Sequence, residues 1–193
     1  MPAPFYSQVL ASQTKVGTLL NTYTTAKTII NPNEIVALPP NYLALGSKLR
    51  IRAWGGLSNL VTTPGTVTFQ LMIGPVGAPI IAWTSGALQM IATAETLEPF
   101  TLEIVVRLDS SGSGTAAKFI GGGFIDAQNL TLTAGTAAPT TFVGAYPAPA
   151  TAPAVGTGFD STVTNILDFW AGFSISNAAN GVQLYDYTVE QLQ

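Results

Sequence analysis

Lys48-Leu49-Arg50-Ile51-Arg52-Ala53-Trp54 alternates residue by residue, with Leu49, Ile51 and Ala53 on one side of an extended chain and Lys48, Arg50, Arg52 and Trp54 on the other. A period of two with one dry and one wet face is the pattern of a half-buried strand in an antiparallel sheet. Residues 66–73 repeat it, with Val67, Phe69, Leu71 and Ile73 inward against Thr66, Thr68, Gln70 and Met72. Residues 101–108 repeat it again, with Leu102, Ile104, Val106 and Leu108 inward and Glu103 and Arg107 outward.

Around these three, weaker strand patterns run over 28–37, 79–83, 116–125, 130–133, 163–173 and 182–192, which predicts about eight or nine strands in all. Turn chemistry separates them at Asn31-Pro32-Asn33, Pro39-Pro40-Asn41, Thr63-Pro64-Gly65, Gly74-Pro75, 110–114 and Asn180-Gly181. Many short strands punctuated by Gly and Pro, with almost no helix signal, predict an all-β antiparallel sandwich or barrel. No internal repeat or heptad pattern is present.

Two stretches stand outside a compact core. Residues 1–12 are expected to form an extended arm, because Pro2 and Pro4 block helix entry while Phe5, Tyr6, Val9 and Leu10 still favour burial. The Pro- and Ala-rich run Ala145-Tyr146-Pro147-Ala148-Pro149-Ala150-Thr151-Ala152-Pro153 predicts a polyproline-like loop with few backbone donors. Both are open to two readings, simple disorder or contact with a neighbouring subunit. The division expected is an arm over 1–12 and one sandwich domain over 13–193.

The chain has 193 residues, 9% of them charged and 47% hydrophobic, with a net charge of −3. A domain of this size buries about 70% of its unfolded surface. The charged fraction is far below the roughly 25% of ordinary soluble domains. A sequence pI near 4.7 offers no basic stripe to neutralise phosphates, so nucleic acid is not expected as a partner. The opening Met1-Pro2-Ala3-Pro4-Phe5-Tyr6 lacks the basic and apolar regions of a signal peptide, and no run approaches the roughly 18 apolar residues of a membrane helix. The expectation is a chain made in the cytoplasm that meets no membrane.

Missing residue types limit the chemistry. With no histidine, Ser-His-Asp and Cys-His catalysis in their usual forms and the usual zinc ligands are absent, and with no cysteine so are disulfides and thiolate sites. The carboxylates Glu95, Glu98, Glu103, Asp109, Asp126, Asp160, Asp168, Asp186 and Glu190 are scattered singly, and the closest pair, Glu95 and Glu98, is expected in a solvated turn leading into a strand. Asp109-Ser110-Ser111-Gly112-Ser113-Gly114 has the look of a calcium loop, but position twelve, where a bidentate Glu would close it, is Ile120; a hairpin turn is expected. Gly121-Gly122-Gly123 has no Gly-Lys-Ser/Thr ending and is expected as a bulge or close approach within a strand. Asn129-Leu130-Thr131 matches a glycosylation acceptor without any secretion signal. No catalytic residue, metal site or cofactor is expected.

A surface of Thr, Ala, Ser, Gly and Gln lacks much of the like-charge repulsion that keeps proteins apart, and interface centres are poor in Lys, Glu and Asp and rich in aromatics. Trp83, Phe169 and Trp170 are expected in the core; Trp54 and Tyr146 are open between core and interface.

Leu45-Gly46-Ser47-Lys48-Leu49-Arg50-Ile51-Arg52-Ala53-Trp54-Gly55, then Thr66-Val67-Thr68-Phe69-Gln70-Leu71 with Gly74, then Thr84-Ser85-Gly86-Ala87-Leu88 resemble a widespread group of tailed-phage virion proteins. The closing Tyr187-Thr188-Val189-Glu190-Gln191-Leu192 is similar to that group's last strand. The resemblance implies a jelly-roll-like sandwich, commonly a homotrimer, on the outer capsid surface, where it acts as a cement or decoration protein and stabilises contacts between major capsid proteins. The alternative within the virion is a tail, baseplate or fibre module with receptor or carbohydrate binding, for which Trp54 and Tyr146 are the residues to test. A carboxylate hydrolase is the remaining class and needs acids that converge in a cleft. Candidate interface residues are Phe5, Tyr6, Val9, Leu10, Trp54 and Tyr146, with the arm over 1–10 expected to cross to an adjacent subunit.

Overall fold

The computed structural model describes residues 7–60, 62–131, 146–149 and 155–192. In chain order the strands are β1 (Ser7–Ser12), β2 (Leu20–Asn21), β3 (Lys27–Thr28), β4 (Val36–Leu38), β5 (Lys48–Asn59), β6 (Thr66–Gly74) and β7 (Ile80–Thr84). They continue as β8 (Leu88–Met90), β9 (Glu95–Ser110), β10 (Lys118–Ala127), β11 (Leu130–Thr131), β12 (Tyr146–Ala148), β13 (Asn165–Phe173) and β14 (Gly181–Leu192). One seven-stranded sheet, here sheet A, has the order β1-β14-β5-β9-β10-β12, with β2 also on β14. The other, sheet B, also seven-stranded, has the order β11-β8-β6-β13-β3, with β4 on β13 and β7 on β6. Every pairing described is antiparallel, and the chain passes back and forth between the sheets to bring its first and last strands together, a jelly-roll-like sandwich.

The alternation of the three diagnostic segments becomes the core. Leu49, Ile51 and Ala53 of β5, Val67, Phe69, Leu71 and Ile73 of β6, and Leu102, Ile104, Val106 and Leu108 of β9 are all buried between the sheets. At its centre is a column of rings that joins them. Phe100 (sheet A) lies 5.3 Å from Phe69 (sheet B), Phe69 stacks on Phe169 at 6.0 Å, and Phe169 stacks on Tyr187 (sheet A) at 5.8 Å. Offset ring pairs of this kind add about 0.5–1.5 kcal/mol each beyond the area they bury. Trp83 and Phe169 are core residues as expected, whereas Trp170 is half-buried on the outer side of β13.

Several local expectations change. Residues 28–37 are not one strand: Asn31 accepts from the Asn33 amide at 3.1 Å and caps a 3₁₀ turn over Pro32–Glu34, which separates β3 from β4. Glu95 and Glu98 are not in a solvated turn but within β9, opposite Asn59 and Leu57. A bulge there, with Leu97 at φ +52° and its amide donating to Ser58 Oγ at 2.9 Å, is what the turn-like composition encodes. The 111–117 segment is the expected connection of a hairpin, between β9 and β10. Gly123 lies where a Cβ would fall 1.9 Å from the Glu103 carbonyl oxygen, so the glycine run does mark a close approach within a strand. Asn129 is fully buried, its amide donating to the Leu57 carbonyl at 2.7 Å, which removes it from any glycosyl transfer in the folded chain.

The arm is extended, but from Ser7 onward it belongs to the chain's own sheet. β1 pairs with the end of β14, Gln13 N donates to Tyr187 O at 2.7 Å, Gly17 N to Leu184 O at 2.8 Å, and β2 pairs with the start of β14. The residues expected to cross to a neighbour therefore form, from Ser7 to Leu10, an intramolecular edge strand, because β14 otherwise presents an unpaired ladder. Phe5 and Tyr6 lie outside the described residues, as do 150–153 of the Pro- and Ala-rich run. Within that run, Tyr146–Ala148 forms β12, paired with Gly123–Ile125 of β10.

Tyr187 and Asp168 make the energetics of this core testable. Tyr187 is fully buried and its hydroxyl has no hydrogen-bond partner, with burial raising its pKa well above the ordinary phenol range. Replacing Tyr187→Phe keeps the ring column and removes an unsatisfied donor, so urea denaturation should give unchanged stability or a gain of about 1 kcal/mol, whereas Phe169→Ala should lose about 3–5 kcal/mol. Asp168 is buried and accepts from Thr28 Oγ1 at 2.6 Å, the Phe169 amide at 2.7 Å and Trp170 Nε1 at 2.6 Å. Burial raises its pKa despite these donors. A carboxyl that binds its proton more tightly when folded stabilises the chain below its ordinary pKa and loses that contribution as pH rises through the folded value. Melting from pH 7 down to pH 4 should therefore show wild type gaining stability relative to Asp168→Asn as the pH falls; a constant difference between the two would place this titration elsewhere.

Candidate functional site

The two outer faces of the sandwich differ in charge. On sheet A, β5 points Lys48, Arg50, Arg52 and Trp54 outward as the alternation requires. Partners in register complete the rows: Glu190 of β14 lies opposite Arg50, and Glu103 of β9 lies opposite Arg52. Arg50 pairs with Glu190, its Nε 2.7 Å from Oε2. Arg52 Nε lies 2.8 Å from Glu103 Oε2, and the hydrogen bond and charge of Glu103 raise the arginine's pKa. Arg107 and Asp109 pair at 2.6 Å. These partly exposed pairs contribute little stability and chiefly fix where each side chain stands.

Sheet B carries Lys27 and Asp168 as the charged residues of its strands. Lys27 lies opposite the buried Ala171, on the inner row of an edge strand, with its ammonium 5.6 Å from the centre of the Tyr23 ring; it reaches water at the rim of the sandwich and not on the outer face. Asp168 is buried under its three donors. What remains on the outer side of sheet B is Thr66, Thr68 and Gln70 of β6, Ile81 and Thr84 of β7, and Ile166 and Trp170 of β13, while Met72, expected outward, is buried there opposite Asp168. Among the described residues this face presents no exposed formal charge.

Sheet A holds an arrangement in which aromatic and charged groups share a concave surface. A groove of about 460 Å³ is lined by Arg52, Trp54, Thr101, Glu103, Phe124, Asp186, Thr188 and Glu190, with Ala53 and Leu102 contributing their backbone side. Trp54 is 47% exposed and Phe124 44%. Trp54 does not swing freely, since Tyr185 packs against it edge-on, ring centres 5.1 Å apart at 71°. The sequence provides for this twice. A bulge between Leu184 and Asp186 adds Tyr185 to β14 and sets Asp186 opposite Trp54. Gly56 leaves the space that Tyr185 needs, because a Cβ there would lie 2.7 Å from the Tyr185 hydroxyl and 2.8 Å from Leu97 Cβ. The Tyr187 amide donates to Asp186 Oδ1 at 2.9 Å and orients that carboxylate.

Of the residues expected at an interface, only Trp54 is among those that line this groove. Val9 is exposed on the same outer face, opposite Glu190, but outside the groove lining. Leu10 turns the other way and packs half-buried against the core. Tyr146 is placed by its backbone, opposite Ile125. Phe124, Tyr185 and Asp186 are residues that the sequence reading misses. A signal for Phe124 exists, since Phe124 and Ile125 are adjacent in a strand and only one of them can face the core. Asp186 has no such signal, because the bulge breaks the count along β14.

Chemically, the groove offers a ring surface, hydroxyls and carboxylates, with Glu103 and Glu190 each held by an arginine. Two unengaged carboxyls facing one another, as glycoside hydrolysis uses, are not present in it. Among the described residues no group of three or more acidic side chains is placed to hold a metal ion.

No protein-family model matches the chain, and no curated protein matches it. Solved structures with a related outline include the basic winged bean lectin with Tn-antigen, 7% identical with a TM-score of 0.32 over 97% of this chain and 98% of that one. The winged bean acidic lectin complexed with methyl-α-D-galactose is 8% identical, with a TM-score of 0.29 over 98% of this chain and 100% of that one. Peanut lectin with a 9mer peptide is 9% identical, with a TM-score of 0.32 over 98% of this chain and 91% of that one. At these scores the likeness carries no argument about ligand, partner or activity.

Proposed function

We propose that this protein is a structural component of a tailed-phage virion, a cement or decoration protein that binds the outer shell as an oligomer and stabilises contacts between major capsid proteins. The observation that carries this reading is the outer face of sheet B, on which Thr68, Gln70, Thr84, Ile81 and Trp170 stand without an exposed charge. Covering a charge costs several kcal/mol unless it is paired, whereas Thr and Gln can exchange water for a partner's backbone groups and Ile and Trp gain from burial. A face of this composition suits contact with another copy or with the shell. The resemblance of residues 45–55, 66–71 and 84–88 to tailed-phage virion proteins supports the same assignment.

The mechanism is mechanical. An oligomer seated across the joints of a shell adds buried area there, and because it binds the assembled state it stabilises that state by mass action. No bond is made or broken in this role.

Imaging of intact particles, with copy number measured against the major shell protein, tests the assignment. The expected result is density on the icosahedral shell at a fixed ratio to that protein; absence from the shell overturns it. Gln70→Glu, which places a charge in the middle of the sheet B face, should lower occupancy on particles at least tenfold while Lys48→Glu on sheet A leaves it unchanged. Equal occupancy of the two variants would remove sheet B from the contact.

A further inference from the structure

Beyond the structural role, and independent of it, we infer that the groove on the outer face of sheet A is a binding site for a neutral oligosaccharide, with Trp54 and Phe124 as stacking surfaces and Asp186 as hydroxyl acceptor.

The two rings are exposed on the outer face of the sheet. Both stand nearly half in water on the sheet face that also carries the charges. Trp54 is held in place by Tyr185, and the space for Tyr185 depends on Gly56. An exposed indole held by a second ring and a missing side chain is preorganised, which lowers the ordering cost of binding.

Their spacing sets the size of the ligand. Trp54 lies opposite Thr101, and Phe124 lies opposite Glu103, two residues along β9 and one strand further. Two interstrand steps and two residues along the strand separate the Cα atoms that carry the rings by about 12 Å. That spacing is wider than one sugar ring, and it suits a short chain with one residue stacked at each end. The groove that they line opens to solvent.

The polar groups set its chemistry. Asp186 stands beside Trp54 in register, has no cation paired with it among the described residues, and keeps its orientation through the Tyr187 amide. A carboxylate accepts from two hydroxyls at once, while the Arg52–Glu103 pair between the rings presents both a donor and an acceptor. Flat carbon faces with vicinal hydroxyls, as in pyranoses, match this combination of ring and carboxylate. With both arginines already neutralised by glutamates, Asp186 leaves the groove negative, so uronate, sulfate and phosphate polymers are disfavoured.

The full chain is titrated by calorimetry with neutral tetrasaccharides of glucose, galactose and N-acetylglucosamine in α and β linkage, with the parent monosaccharides, with tetragalacturonate and with choline. At least one neutral tetrasaccharide should bind, more tightly than its monosaccharide. Trp54→Ala should weaken that binding about tenfold or more, and Asp186→Asn by a smaller factor. Phe124→Ala should abolish the advantage of the tetrasaccharide over the monosaccharide while leaving monosaccharide binding in place, an effect that mere loosening of the fold would not produce. Trp170→Phe, on the opposite sheet, should change nothing, and matching melting curves identify the variants that remain folded. The inference is overturned if no neutral tetrasaccharide binds, if Trp54→Ala binds as well as wild type, or if tetragalacturonate or choline is the ligand that binds through Trp54. Loss of sugar binding with shell occupancy intact separates this site from the sheet B contact.

Discussion

The ring column Phe100–Phe69–Phe169–Tyr187 is the contact on which the rest of the molecule depends. It ties the centre of sheet A to the centre of sheet B, and in doing so it decides which side of each central strand faces in. Because side chains alternate, fixing Phe69 inward sends Thr68 and Gln70 outward, and fixing Ile51 and Ala53 inward sends Arg52 and Trp54 outward. A slip of one residue in β5 would bury Arg50 and Arg52 and expose Leu49 and Ile51. The outer faces are therefore as strongly specified as the core.

Those faces have different chemistry. The strands of sheet A hold nearly all of the charged residues that lie in strands, among them the cross-strand ion pairs around an aromatic groove. Sheet B keeps its one buried acid satisfied by Thr28, Trp170 and the Phe169 amide, and shows hydroxyls, amides and apolar groups to the outside. In a chain with only 9% charged residues, this segregation leaves one side that can be covered at little cost and another suited to a polar ligand.

Much of the fold is legible in the sequence, and the reason is periodicity. Residues 48–54, 66–73 and 101–108 each give an unbroken period of two, and every inward assignment in them is buried in the structure. Legibility fails where the period is interrupted. The strands β2 and β8 are two and three residues long and carry no period at all. The bulge at Leu97 gives Glu95 and Glu98 the composition of a turn, and the bulge at Tyr185 conceals that Asp186 stands beside Trp54. The groove itself depends on register across β14, β5, β9 and β10, which lie far apart in sequence; its clearest sign is Trp54, a large ring on the polar side of an alternating strand. The prolines of the N-terminal arm do signal extended chain, but no local feature tells an arm that leaves the molecule from one that closes its own sheet edge at β14.

On this reading the molecule is two-sided, with sheet B covered in the assembled state and sheet A left open. Hydroxyl-radical footprinting of the free chain and of the same chain on particles tests this most directly. The expected result is that Ile81 and Trp170 lose reactivity on assembly while Trp54 and Phe124 keep theirs. Protection of Trp54 and Phe124 with Ile81 and Trp170 still reactive would contradict it.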